Sequence, residues 1–301
     1  MGRFFADVSE RVERPIDEGT IDWSGVIAAR YRVEQSLRYA YTSPVSNLYN
    51  RLIITPRHRH LDQQRIANRL WTPAIGAIAL ERDEFGNEIA AVSVARVEHE
   101  IVFSLDASIV RDRRFAFAGA TPYEVVDPRW LSGSRLTRPN DAILSAAERL
   151  RAHYPNQRER ALAITNFVAQ QMTYTKGVTD VFTTAATAYA QRRGVCQDYA
   201  HIALSIARAA GLSARYVSGH LLGEGATHAW MEVLVNDRSG GSSVLSLDPT
   251  YDTLTNFRYV VVAIGRDYDD VPPTSGYFSG KATGTLHGSQ SVRLLDVTYA
   301  A

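Results

Sequence analysis

The sequence predicts an α+β protein, in which an N-terminal antiparallel β-sandwich-like domain is followed by helices and then by a second antiparallel sheet. Three observations support this prediction: apolar and polar residues alternate from residue 31, apolar residues take helical spacing from residue 142, and alternation returns from residue 214. Because a strand repeats every two residues and a helix about every 3.6, each change of period marks a change of structure.

The N-terminal domain is predicted from short strand-like runs that turn residues separate. Before it, residues 1–25 are charged and weakly patterned, so we expect an irregular lead-in there. Tyr31 and Val33 then alternate with polar neighbours, and further runs continue to about residue 105. Short strands of this kind pack as an antiparallel sandwich or curved sheet, which we expect over residues 26–135.

The second domain is predicted over residues 136–301, after a cluster of turn residues around Trp130. Apolar residues recur at i, i+3, i+4 and i+7 in 142–153 and again in 158–172, which predicts two helices. A shorter helical segment and a helix that begins near Cys196 follow. Alternation then predicts strands at 214–221, 227–235, 244–247, 258–264 and, after a stretch rich in glycine and serine, 292–297.

Composition narrows the classes of function. The chain has 301 residues, 45% of them hydrophobic, and a formal charge of +1 from 33 basic and 32 acidic side chains. Because binding through phosphate neutralisation normally needs a clear basic excess, we expect no nucleic-acid partner. Signal-peptide and membrane-spanning patterns are absent from the sequence, so we expect no membrane partner. A single cysteine cannot form an intramolecular disulfide, which fits a reducing, cytoplasmic location.

That single cysteine, Cys196, is the candidate nucleophile. Gly194 precedes it and allows a sharp turn, and good helix formers follow it to Gly211. The unpaired N–H groups and the positive dipole end of a helix N-terminus stabilise negative charge. A cysteine placed there is therefore more often the nucleophilic thiolate, although a lone cysteine elsewhere is usually a small buried hydrophobe.

Two residues after the cysteine could complete a catalytic triad. His228 begins a predicted strand, Asp248 ends the next one, and the segment between the strands has the composition of a hairpin loop. A loop centred on residue 238 places His228 opposite Asp248, whereas a loop centred on the glycine pair places it nearer Tyr251 and Asp252. Opposed residues lie about 5 Å apart, so an acid can hold the imidazole in either register.

The sequence gives less support for a metal site or a phosphate-binding loop. His58 and His60 could share one face of a strand, but paired cysteines and a His-Glu-x-x-His motif are missing, so we expect no metal and no cofactor. The glycines at 219–225 lack the lysine and the helix of a phosphate loop. We expect His201 and His220 to be structural.

Several motifs together resemble the bacterial transglutaminase-like superfamily. Similarity extends upstream to the family's β-rich N-terminal region, through Tyr31-Arg32-Val33-Glu34-Gln35 and residues 83–87, and downstream to residues 263–273. The motifs are Gly194-Val195-Cys196-Gln197-Asp198-Tyr199-Ala200-His201, the segment 211–219, Thr227-His228-Ala229-Trp230 and Leu247-Asp248-Pro249-Thr250.

The resemblance implies a papain-like core in which Cys196 is the nucleophile, His228 the general base and acid, and Asp248 the group that orients His228. It also implies acyl transfer from a peptide or protein amide through a thioester. Tyr174 is a candidate second oxyanion donor or else a core residue, and Trp230 either shields the thioester or belongs to the core.

The acceptor of the acyl group is left open by these motifs. We expect hydrolysis slightly more than transamidation to an amine by the same triad. The alternative from a different class of function is a non-catalytic binding scaffold that has kept a vestigial triad. The sequence carries no signal for the native substrate or the oligomeric state.

Overall fold

A computed structural model describes residues 15–74, 76–115, 127–236 and 242–300 of the protein. Its N-terminal part is a sandwich of two antiparallel sheets, with strand orders β16-β1-β7-β4-β3 and β15-β2-β6-β5. Residues that alternate along the strands, such as Tyr31, Val33 and Phe103, are buried between the two sheets. The predicted β-sandwich is therefore confirmed. Its N-terminal strands are β1 (Val26–Tyr41), β2 (Val45–Leu52), β3 (Arg59–His60), β4 (Gln63–Trp71), β5 (Ala77–Arg82), β6 (Glu88–Val97) and β7 (Glu100–Asp112).

The last two strands of the chain return to this sandwich. Strand β16 (Gly284–Tyr299) pairs along almost the whole of β1, and β15 (Thr274–Ser279) pairs with β2. The sequence analysis placed residues 136–301 in one second domain, whereas these two strands pair with strands of the N-terminal sandwich. Without these strands, β1 and β2 would each present an unpaired edge, and pairing satisfies those backbone groups.

The lead-in also packs on the sandwich where it is described. The Ile16 N–H donates to the Leu294 carbonyl at 2.9 Å, and Ile16 and Trp23 pack against the sandwich core. A short 3-10 helix, Glu18–Thr20, lies between them. Residues 1–14 of the predicted lead-in lie outside the described residues.

The second part of the fold is a helical layer packed on a further antiparallel sheet, as predicted. The side-chain oxygens of Asn140 and Asn156 cap the first turns of the two long helices that open it. The helices are α1 (Pro128–Leu131), α2 (Asp141–His153), α3 (Gln157–Gln171), α4 (Ala185–Gln191) and α5 (Cys196–Ala209). The sheet has five strands in the order β13-β12-β11-β10-β14. The strands are β10 (Ser213–Leu221), β11 (Thr227–Asn236), β12 (Ser242–Asp248), β13 (Thr253–Leu254) and β14 (Tyr259–Gly265), with a parallel pair β8 (Thr173–Tyr174) and β9 (Arg193–Gly194) beside α5.

Helix α5 is the centre of this part. Its residues from Asp198 to Arg208 are all buried, because the helix contacts α2, α3 and α4 on one side and β10 and β11 on the other. The apolar cluster around it includes Ile202, Leu204 and Ile206. The N-terminus of α5, which carries Cys196, is consequently held in place by its surroundings. Among the described residues, no helix is long and apolar enough to cross a membrane.

The two parts of the fold are joined by buried polar side chains. Gln63 and Asn87, both from the sandwich, each form two hydrogen bonds of 2.7–2.9 Å with the backbone of β14, at Val261 and Ile264 respectively. A side-chain amide has one donor and one acceptor side, so it pairs with an edge strand as another backbone would. The edge of the second sheet is therefore satisfied by the sandwich.

Candidate active site

The nucleophile segment bends sharply into helix α5. Gly194 lies in β9, beside β8, and its carbonyl accepts a 2.8 Å hydrogen bond from the Thr175 N–H. A Cβ on Gly194 would lie 2.4 Å from Asp198 Oδ2, so this position requires a glycine. Cys196 follows as the first residue of α5 and is half-buried. The predicted thiol at a helix N-terminus is present.

Asp198 fixes this turn from inside the helix. Its Oδ2 accepts hydrogen bonds from the Val195 N–H at 2.8 Å and from Thr179 Oγ1 at 2.7 Å. Burial raises the pKa of the Asp198 carboxyl, while these two hydrogen bonds lower it. The carboxylate thus takes the N–H that precedes the cysteine, and the N–H groups of the first helical turn remain directed at the thiol end.

His228 and Asp248 are in contact at the start of β11. His228 Nε2 lies 2.7 Å from Asp248 Oδ2, and both side chains are buried. An interaction with Cys196 also contributes to the raised pKa of His228. Because Nε2 is occupied by Asp248, Nδ1 is the nitrogen left to face other groups. The structure therefore brings Cys196, His228 and Asp248 together.

The register of the hairpin differs from both predicted alternatives. Met231 pairs with Leu247 and Asn236 with Ser242, which centres the connection between the two positions considered from the sequence. Asp248 is consequently a diagonal neighbour of His228 and does not face it directly. A diagonal pair is within reach of long side chains, which accounts for the contact. Residues 237–241 of the connection lie outside the described residues.

Asp248 is held by more than His228. Its Oδ1 accepts from the Thr250 N–H and its Oδ2 from the Tyr259 hydroxyl, both at 2.8 Å. Burial and the neighbouring Asp248 charge raise the pKa of Tyr259, so its hydroxyl keeps the proton that it donates. The sequence analysis missed Tyr259, since an aromatic residue at the start of an apolar strand carries no distinctive signal.

The charge state of His228 follows from its surroundings. Burial alone would lower the pKa of His228, but hydrogen bonds with Asp248, Cys196 and Glu224 raise it to about 12. The imidazolium form is thus favoured at neutral pH. A cation beside a cysteine at a helix N-terminus favours the thiolate, so the pair is suited to nucleophilic attack.

Glu224 and Tyr251 also belong to the site, and the sequence analysis assigned neither to it. Glu224, in the turn between β10 and β11, places Oε2 3.3 Å from His228 Nδ1. The Tyr251 hydroxyl donates to Glu224 Oε1 at 2.5 Å. The hydrogen bond with His228, helped by that of Tyr251, lowers the pKa of Glu224 although burial opposes it. A turn residue carries no periodic signal, so the structure alone identifies this carboxylate.

The two aromatic candidates have different environments. Tyr174 in β8 is 47% exposed, and burial of the rest of the side chain together with the charge of Cys196 raises its pKa. Almost half of the side chain is exposed, so the alternative of a core position is wrong. Trp230 is fully buried, and its Nε1 donates to Ser246 Oγ at 2.9 Å. Its ring packs on that of His228, with the two ring centroids 6.2 Å apart. Its core alternative is therefore the correct one.

The four other histidines considered from the sequence differ in their environments. His201 and His220 are buried, and burial lowers their pKa values to about 3 and about 4. His58 is exposed, whereas His60 is buried and contacts Glu232 at 2.8 Å. The possible metal pair at His58 and His60 is thus divided between two environments.

Comparison with known proteins supports the same assignment. The family model of the transglutaminase-like superfamily matches residues 145–242, which include Cys196 and His228, and that of the bacterial transglutaminase-like N-terminal region matches residues 31–110. An uncharacterised protein of Mycobacterium tuberculosis is 32% identical over 273 residues, covering 82% of this chain and 87% of its own length. One from Mycobacterium leprae is 30% identical over 277 residues, covering 85% and 96%.

A solved structure shares the fold of nearly the whole chain. The crystal structure of a candidate cysteine protease from Cytophaga hutchinsonii superposes with a TM-score of 0.72 at 22% identity, covering 91% of this chain and 93% of its own. That coverage includes both the sandwich and the helical part with its sheet. On the family models, the mycobacterial relatives and the shared fold, this chain belongs to the bacterial transglutaminase-like superfamily.

Proposed function

We propose that the protein is a thiol hydrolase that cleaves peptide-type amides through a thioester on Cys196. One observation carries the proposal: the His228 imidazole is held by Asp248 at Nε2, which leaves Nδ1 available, and an interaction with Cys196 helps to raise the pKa of the same imidazole. This is the connection that a cysteine nucleophile needs, because the imidazole must exchange a proton with the reacting atoms while a third group fixes its orientation.

The first half of the reaction forms the thioester. The Cys196 thiolate attacks the amide carbonyl carbon, and the carbonyl π electrons move to oxygen. The backbone N–H of Cys196 faces the oxyanion, and the Tyr174 hydroxyl, whose pKa is raised by burial and by the charge of Cys196, is the proposed second donor. The C–N bond then breaks as the tetrahedral intermediate collapses. His228 donates its Nδ1 proton to the leaving nitrogen, which departs as a neutral amine.

The second half releases the acyl group. Neutral His228 takes a proton from water at Nδ1, and the resulting hydroxide attacks the thioester carbonyl. The C–S bond breaks, the carboxylic acid product leaves, and the Cys196 thiolate again faces a protonated His228. Tyr174 and Tyr251 are 47% and 54% exposed, so these side chains are in contact with water, the acceptor that we propose.

An assay with a glutamine-containing peptide and a labelled primary amine tests this proposal. Mass spectrometry distinguishes a cleaved peptide, a glutamine converted to glutamate, and a peptide that carries the amine. We expect hydrolytic products from the wild-type protein and none from Cys196→Ala or His228→Ala. Amine incorporation as the main product would replace hydrolysis with transamidation by the same residues.

Thiol reactivity tests the proposal against a binding scaffold with a vestigial triad. Cys196 is the only cysteine in the chain, so alkylation by iodoacetamide reports on it alone. We expect fast alkylation at pH 7 that slows at least tenfold in His228→Ala, because the variant lacks the cation beside the thiol. An alkylation rate equal to that of a free thiol, and unchanged in the variant, would support the scaffold.

A further inference from the structure

Glu224 occupies a position beside the proposed catalytic centre that the mechanism above does not use. Its Oε2 lies 3.3 Å from His228 Nδ1, the same nitrogen that serves Cys196. Its other oxygen accepts the hydroxyl proton of Tyr251 at 2.5 Å. These two contacts fix the position of the Glu224 carboxylate, and 31% of the Glu224 side chain is exposed to solvent.

The turn that carries Glu224 is fixed. Gly223 has φ +87°, a conformation that favours glycine, and a Cβ there would lie 2.1 Å from Glu18 Oε1. The N–H of Glu224 donates to the Leu221 carbonyl at 3.0 Å. The lead-in segment therefore packs directly under the turn, and the carboxylate is presented from a supported backbone.

The position of the proton that His228 donates indicates which half of the substrate lies beside Glu224. His228 Nε2 is taken by Asp248, so the proton that cleaves the amide must move from Nδ1 to the leaving nitrogen. That nitrogen must come within hydrogen-bond distance of Nδ1. Substituents on it consequently lie next to Glu224, whereas the acyl half lies on the other side of the thiol.

Protonated His228 lies 3.3 Å from Glu224, but Asp248 at 2.7 Å already compensates the charge of His228, so the surroundings of Glu224 still suit a further positive charge. The hydrogen bond from His228 lowers the pKa of Glu224, so it is an anion at neutral pH. Tyr251, whose hydroxyl donates to Glu224, is 54% exposed, and aromatic faces attract cations. The charge of Arg258 also acts on Glu224, but its guanidinium donates to the Leu222 carbonyl at 3.1 Å.

We propose that Glu224 is a specificity-determining residue that selects amides whose amine half carries a positive charge of its own, such as a peptide with a basic residue immediately after the scissile bond. The inference rests on the proposed function for the identity of the leaving side. The cation preference itself depends only on the position of Glu224 beside His228.

A pair of charged thiol reagents tests the preference without any turnover. A methanethiosulfonate that carries a trimethylammonium group and one that carries a sulfonate are matched in size. In both reactions Cys196 Sγ attacks the sulfenyl sulfur, a disulfide forms and methanesulfinate leaves. We expect the ratio of cationic to anionic rate constants to fall about tenfold in Glu224→Gln, since one unit charge near the thiol acts with opposite sign on the two reagents.

Glu98→Gln is the matched control. It makes the same chemical change on an exposed side chain in the connection between β6 and β7, and it should leave the ratio unchanged. In Glu224→Gln the new side-chain carbonyl can still accept the Tyr251 hydroxyl proton, so the turn should keep its conformation. An equal ratio in the wild-type protein and in Glu224→Gln would overturn the proposal.

Two peptide substrates then separate this inference from the proposed function. They differ only in the residue after the scissile bond, which is lysine in one and acetyl-lysine in the other. We expect the wild-type protein to cleave the lysine peptide with at least tenfold higher kcat/KM, and Glu224→Gln to remove most of that difference. Cleavage of both peptides at equal rates would overturn the inference and leave the hydrolase standing. A reagent ratio that depends on Glu224 without cleavage of either peptide would support the cation preference and contradict hydrolysis.

Discussion

His228 and Asp248 meet on a diagonal across two antiparallel strands: His228 Nε2 lies 2.7 Å from Asp248 Oδ2, although the register places Leu247 opposite Met231. In this geometry the two ring nitrogens of His228 have different partners. Nε2 is committed to a buried carboxylate, and Nδ1 is left to Cys196 and Glu224. The proposed mechanism therefore assigns the orientation of the imidazole to Nε2 and the exchange of protons at the thiol to Nδ1.

Asp248→Asn should lower kcat of the proposed hydrolysis by about 10²- to 10⁴-fold. The amide cannot stabilise an imidazolium by charge, and its NH₂ group favours the wrong tautomer of His228. Steady-state kinetics with the cleaved peptide substrate measures the loss. Asp252→Asn is the control, because that exposed carboxylate contacts Asn166 and should leave kcat within about twofold. An Asp248→Asn enzyme with normal kcat would remove Asp248 from the mechanism.

Tyr259→Phe should destabilise the fold by about 1.5–3 kcal/mol, the usual loss for a hydrogen bond to a charged group. The change removes the 2.8 Å donor to Asp248 Oδ2 and leaves the ring in its buried place. Urea denaturation measures the free energy of unfolding. Tyr277→Phe, at an exposed position in β15, should change it by less than about 0.5 kcal/mol. Equal stability of the two variants would show that Asp248 does not depend on this hydroxyl.

The candidate triad could be predicted from sequence because each of its members has a local signal. Cys196 follows a glycine and begins a helix, and His228 and Asp248 mark the ends of strands joined by a loop. Glu224 and Tyr251 lie in irregular segments, where neither period nor capping identifies a role. They reach the site only through the folding of β10, β11 and β12 around it, which a sequence pattern does not report.

The C-terminal strands were harder to predict for a different reason. The first half of β16, residues 284–291, is mostly exposed and lacks alternating apolar residues. It is a strand because its backbone pairs with β1, which lies at the other end of the sequence. The pairing of backbone groups over such a separation leaves no trace in local composition. The sandwich strands that bury alternate residues, such as β1, were predictable for the opposite reason.

Tyr174→Phe should lower kcat about 10²-fold if its hydroxyl is the second oxyanion donor. The alkylation rate of Cys196 by iodoacetamide should stay within about twofold of the wild-type rate, since that displacement develops no oxyanion. The comparison of kcat with the alkylation rate separates an effect on the oxyanion from an effect on the thiol. A normal kcat would place the second donor elsewhere, and a parallel loss of both rates would assign Tyr174 to thiol activation.

His228 should make the stability of the protein depend on pH. Burial opposes its charge, but the hydrogen bonds with Asp248, Cys196 and Glu224 raise its pKa to about 12, above the value of about 6.5 in the unfolded chain. The stabilising contribution is therefore complete below about pH 6.5 and is lost as the pH rises towards 12. In the proposed ion pair a proton gained by His228 is balanced by one lost from Cys196, so the effect of His228 alone is measured without the thiol: between pH 7 and 8 the free energy of unfolding should fall by up to about 1.4 kcal/mol more in Cys196→Ala than in the double variant Cys196→Ala, His228→Gln. Urea denaturation at both pH values measures this difference, and parallel pH dependence in the two proteins would contradict it.

Gly194→Ala tests whether the turn before Cys196 positions the nucleophile. The new Cβ would lie 2.4 Å from Asp198 Oδ2 and 2.7 Å from Asp198 Cγ, so the carboxylate must leave the Val195 N–H. Overpacking of this kind costs about 1–3 kcal/mol, and we expect alkylation of Cys196 to slow as well, because the first turn of α5 loses its internal acceptor. Gly288→Ala is the matched control, since its Cβ would make only an ordinary 3.5 Å contact with Leu37. A folded Gly194→Ala protein with an unchanged alkylation rate would show that the helix N-terminus holds the thiol without help from Asp198.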